Sequence, residues 1–212
     1  MRRAVNPRGS VKERPSDIHP TKEKLQKAVD QLLETQPLES ITVEQLLKSC
    51  GVSKGSLYHH FTDFPALLEM SLVRSFATSV NQSIAVISKV VAQSSSKEDF
   101  FQSLVKVTVK TQAVEQRATR FKRARIIVMA ERNAQLSQVL AVEQQRLTSA
   151  LMEQIAQAQK NGWVNKEIDQ QAGAVLIQAY TLGKIVDDLS QTPMSPESWN
   201  QLITRLAERV FG

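Results

Sequence analysis

Three histidines and one cysteine are the side chains best suited to metal ligation or nucleophilic attack, and all four (His19, Cys50, His59, His60) fall in the first 60 of 212 residues. A catalytic thiol needs a base and an orienting carboxylate or amide, and no motif supplies them, so Cys50 reads as a small buried hydrophobe. His59 and His60 are neighbours whose side chains point about 100° apart on a helix, and His19 falls in the amino-terminal arm, so no metal site is expected. Paired carboxylates and a phosphate-cradling glycine loop are also missing from the sequence. We therefore expect no catalytic residues, no cofactor and no enzyme. Polar groups gather instead in TVEQLLKSCGVSKGSLYHHF (Thr42 to Phe61), where Ser53, Lys54, Ser56, Tyr58, His59 and His60 surround Gly51 and Gly55. Cations, hydroxyls and closely approachable backbone suit phosphates and base edges better than bond making.

Such groups need a short, rigid frame. Leu25, Ala28, Val29, Leu32 and Leu33 fall at i, i+3, i+4, i+7 and i+8 and predict a helix from Thr21 that ends before Pro37. Thr42 and Gln45 form a capping signature, and Val43, Leu46, Leu47 and Cys50 carry a second, short helix to Gly51. Ser53 caps a third, with Leu57, Tyr58 and Phe61 on one side and Lys54, Ser56 and His59 elsewhere. Asp63 and Pro65 start a long fourth helix, whose stripe runs from Leu67 to Ile87.

Beyond a serine loop at 94–96, apolar periods predict a helix to about Gln116, another over Arg117–Arg132 and a long one from about Ala134 to a stop at Gly162. A helix from Asp169 through Leu189 and a last one capped by Ser195 and Pro196 complete the chain. No strand alternation competes, so we expect an all-α protein of about nine helices: a basic arm at 1–20, a three-helix unit at 21–66 and a larger helical domain at 67–212. The composition, 42% hydrophobic and 23% charged, is that of a globular chain. No apolar run approaches the ~20 residues of a membrane span, the amino terminus lacks a signal-peptide core, and a lone cysteine forms no internal disulfide. A cytoplasmic protein is the expectation. The net charge of +6 is uneven: residues 1–27 hold eight basic and three acidic groups.

Two short helices about a glycine turn follow the grammar of the helix-turn-helix, in which the second helix enters the major groove of DNA. With the upstream helix and the long helix after it, the stretch resembles the amino-terminal domain of the TetR family of transcriptional regulators over residues 21 to 75. That resemblance implies a homodimer on a near-palindromic double-stranded operator, released by a small-molecule inducer bound in the second domain. It places Thr42 and Val43 against phosphate, gives Lys54, Gly55, Ser56, Tyr58 and His59 to the groove, and sets Tyr58 and His60 near phosphates, with the cap Ser53 counted among the DNA-binding residues. Where the family often has a lysine at the start of helix four, this chain has Phe64, an anchor that the arm, Arg2 to Arg14, could replace.

In the larger domain, Phe101, Val105, Phe121, Arg125, Met129, Leu147, Gln178 and Tyr180 are the candidate ligand contacts. Val175, Ala179, Leu182, Gly183, Val186, Leu202 and Leu206 are the candidate dimer face. Arg117, Arg120, Lys122, Arg123 and Arg125 put five positive charges into nine residues; an acidic ligand, DNA or water could meet them, and solvation is the plainest of the three. Helix four would act as a rigid lever between the domains. The alternative function is an architectural or protein-interaction module that uses the same motif without ligand control.

Overall fold

The computed structural model describes residues 19–212, so the arm residues Arg2 to Arg14 lie outside the described part. Among the described residues there are ten α-helical segments, two 3-10 turns and no strand. They form two compact units, divided inside one helix between Ser71 and Leu72.

The first unit holds α1 (Pro20–Thr35), α2 (Val43–Cys50), α3 (Lys54–His60) and the start of α4 (Phe64–Gln93). Its core joins Leu25, Val29, Leu46, Cys50, Leu57 and Leu67, with Phe64 partly buried against them. Cys50 is thus an interior residue, its thiol donating to the Leu46 carbonyl at 3.1 Å. Fully burying one leucine contributes about 2 kcal/mol, so the four leucines at zero exposure dominate the stability of this small core.

The second unit holds the rest of α4, then α5 (Lys97–Gln112), α6 (Arg117–Glu131), α7 (Ala134–Lys160), α8 (Gln170–Gly183), α9 (Ile185–Asp188) and α10 (Pro196–Phe211). Here α7 packs on α6 and α8, α5 on α10, and α6 on α9. Gly173 lets α8 approach closely: a Cβ there would stand 3.1 Å from both Ile155 Cδ1 and Phe211 Cε1. Gln159 ties the end of α7 to the following loop through the carbonyls of Asn165 and Ile168, at 3.0 and 2.9 Å.

The one helix expected from Asp169 to Leu189 is broken at Lys184. Lys184 is buried and pairs with Asp187. The Asp188 carboxylate receives the Arg120 guanidinium in a two-point contact at 2.6 and 2.7 Å, with both side chains buried (5% and 7% exposed). Arg120 also donates to the carbonyls of Thr111 and Ala113. Solvation, the plainest expectation for the basic run, therefore fails for Arg120. Arg117 lies over the Phe121 ring at 4.8 Å, and Arg123 over Phe76 at 5.6 Å, half-buried and with its pKa lowered by desolvation.

Candidate nucleic-acid interface and small-molecule cavity

The turn between α2 and α3 is built by local hydrogen bonds. The Gln45 N–H donates to Thr42 Oγ1 at 3.2 Å, and the Thr42 N–H donates to Gln45 Oε1 at 3.0 Å, closing a reciprocal cap. Gly51 takes the left-handed conformation, φ +62°, and its N–H closes α2 on the Leu47 carbonyl at 2.8 Å. Ser53 Oγ then accepts from the Ser56 N–H at 3.1 Å and shares a 2.9 Å hydroxyl contact with Ser56.

On α3, Leu57 and Phe61 are buried, while Lys54, Gly55, Tyr58 and His59 are exposed. Lys54 and Tyr58 are one turn apart, as are Gly55 and His59, so the four form one open face. Tyr58 is 45% exposed and leaves the side on which the apolar pattern set it, because Leu57 and Phe61 alone fill the core contact. Thr42 and Ser53 are exposed, and Val43 and Ser56 are half-buried.

His60 is half-buried, its ring 4.5 Å from His19 and 5.0 Å from His59. His19 is thus no part of a separate arm: it caps α1, accepting from the Thr21 N–H at 3.2 Å, and meets the end of α3. Desolvation, followed by the charges of His19, His59 and Lys22, lowers the His60 pKa. Lys22, which the motif did not single out, lies 5.8 Å over the Phe61 ring. Its position in the first turn of α1, one turn from His19, was the available signal. Among the described residues no three histidines, cysteines or carboxylates are placed to hold a metal ion, and no helix is long and apolar enough to cross a membrane.

In the second unit a cavity of about 120 Å³ opens among α4, α5, α7, α8 and α10. Of the eight ligand candidates, Phe101, Val105 and Tyr180 line it. The others lie elsewhere: Phe121 beneath Arg117, Arg125 exposed, Met129 half-buried and Leu147 in the buried face of α7. The Gln178 amide is taken up by Gln144 and by Thr148, the latter at 3.1 Å. Leu104, Ile155 and Ile203 complete walls that no single helix's pattern singled out. Of the dimer candidates, Val186 is 75% and Leu202 59% exposed, Val175, Leu206, Ala179 and Gly183 are also exposed, and Leu182 is half-buried.

Residues 25–69 match the family model described as bacterial regulatory proteins, tetR family. The chain is 23% identical over 174 residues to the HTH-type transcriptional regulator UidR of Escherichia coli K12, covering 81% of this chain and 83% of that one. It shares its fold with a TetR transcription regulator from Haloarcula marismortui (TM-score 0.66, 14% identity, 90% and 98% covered). Salmonella enterica GusR is also similar (TM-score 0.59, 20% identity, 89% and 96% covered).

Proposed function

We propose that the chain, whose residues 25–69 match the tetR-family model, is a dimeric transcriptional repressor released by a small molecule. The observation that carries the reading is the face of α3, where Lys54, Gly55, Tyr58 and His59 stand open while Leu57 and Phe61 anchor the helix from behind. Lys54 would donate to base-edge acceptors such as guanine O6 or N7, and Gly55 would let backbone approach the groove. Thr42, at the exposed start of α2, would hold a phosphate oxygen together with backbone N–H groups. Lys22, over the Phe61 ring, adds positive charge at the far end of α3.

One recognition helix reads too few base pairs to be selective, so two copies would bind half-sites about 34–36 Å apart or a multiple of that. The exposed apolar residues of α8, α9 and α10 support such pairing. A ligand would act by favouring a conformation whose two recognition helices no longer match that spacing, and the size of the switch is its affinity difference between the two states. The cytoplasm, where chromosomal DNA is reached, is the compartment this role requires.

A gel shift with the DNA flanking the gene tests the reading. Retardation should require an inverted repeat, and Lys54→Ala with Tyr58→Ala should weaken it at least about tenfold, since one good base contact accounts for about 1–3 kcal/mol. Retardation that survives scrambling of the repeat, or is indifferent to both substitutions, would sink it.

A further inference from the structure

The cavity in the second unit carries a statement about its ligand. Its walls include Ile87, Val91, Phe100, Leu104, Leu151 and Ile155, and no lysine, arginine, histidine, aspartate or glutamate lines it. The polar points are few: Thr108, Gln154, Tyr180 and Thr204. Thr204 uses its hydroxyl on the Asn200 carbonyl of its own helix, at 2.8 Å. An ion entering such a space would lose its hydration and find no opposite charge. The volume, about 120 Å³, is close to that of an apolar cavity of about 150 Å³ that takes up benzene. Phe101, Val105 and Thr204 also border a neighbouring groove lined by Lys97, Glu98, Lys106 and Glu208, so charge stands beside the chamber and not in its lining.

Resting on the reading of this unit as the ligand-binding part of a regulator, we propose that the cavity takes an uncharged, mainly apolar molecule of about one six-membered ring, with at most one or two hydrogen-bonding groups. Tyr180 and Gln154 are the groups placed to meet those polar atoms.

Trp163 supplies the readout, because its indole stacks on Phe100, a wall residue, at 5.5 Å. With Trp199→Phe removing the other tryptophan, the full chain is titrated with toluene, benzoate and benzylammonium while Trp163 fluorescence and Tm are followed. Toluene should shift the emission and raise Tm, and the two ions should bind at least about tenfold more weakly, for want of a counter-charge. Ala207→Phe, which fills the chamber from α10, should abolish the toluene response. A filled core can also fail to fold, so Leu104→Ala is the second variant: its larger chamber should bind naphthalene at least about threefold better relative to toluene than the parent does.

Ions binding as tightly as toluene would overturn the proposal. So would a toluene response unchanged in folded Ala207→Phe, or a naphthalene preference unchanged in Leu104→Ala. A gel shift on the same preparations keeps the two readings apart. A chain that retards DNA but ignores neutral probes loses this inference alone; one that binds toluene but no DNA loses the regulator reading alone.

Discussion

His60 is held among three cationic or potentially cationic neighbours, and its lowered pKa makes a sign-definite prediction. The neutral ring is favoured in the fold, so the unfolded chain takes up the proton first as pH falls. Stability contributed by His60 is therefore full above the ordinary histidine value near pH 6.5 and declines as pH drops through that value toward the folded one. Titration by NMR should place the His60 midpoint below that of a free histidine, and His19→Ala should move it upward. An unmoved midpoint would mean that the 4.5 Å ring contact carries no electrostatic weight. Asp188 has the opposite charge but the same direction: the hydrogen bond from Arg120 comes first among the causes that hold its carboxyl below the usual aspartate value. Its stabilisation is complete above about pH 4, the unfolded value, and is lost as acid titrates through the lowered pKa. Asp188→Ala strands a guanidinium that is 5% exposed and should cost about 3–5 kcal/mol in urea unfolding. Replacing both partners by Met and Leu should recover much of that loss.

At the scale of elements, the turn between α2 and α3 depends on one backbone conformation. Gly51 has φ +62° and open space where a Cβ would stand, so Gly51→Ala meets no clash and only the left-handed penalty, about 1–2 kcal/mol. Thr42→Ala should cost about 1 kcal/mol through the lost cap. Both figures can be read from denaturation midpoints, and a Gly51→Ala loss well above the range would point to more than backbone strain. These same devices made the first unit legible in sequence: a capping pair three residues apart, a glycine stop and a 3.6-residue stripe act within one or two turns. The end of α8 was not legible, because the contact that holds Asp188 just past the break at Lys184 comes from Arg120, 68 residues away. The cavity was only partly legible for a related reason. Periodicity shows that Phe101 and Val105 face inward, but not that the four helices α4, α7, α8 and α10 face them across a gap. Gln178 looked like a polar point for a ligand, yet Thr148 and Gln144 occupy its amide, a match visible only once α7 and α8 are packed.

For the whole molecule, the apolar surface left open on α8, α9 and α10 is the feature that exceeds the needs of a single chain. Leu202→Glu and Val186→Asp place charge at residues 59% and 75% exposed, where a monomer tolerates them within about 0.5 kcal/mol. Sedimentation should show each as a monomer against a dimeric parent, with Tm of the second unit changed only by the lost association. A dimer that persists in both would move the interface elsewhere.

Leu176 and Leu206 belong to two surfaces at once: each helps wall the cavity, yet each is also 37–40% exposed on the open apolar side. A molecule seated inside would touch the same two side chains that a second copy pairing through this face would cover from outside. By reciprocity, whatever factor the occupant applies to self-association, self-association applies to the occupant. The potency of such a molecule is then no fixed number but a function of how many copies of the chain the cell holds, so a dose–response curve should slide along its axis as the protein is diluted.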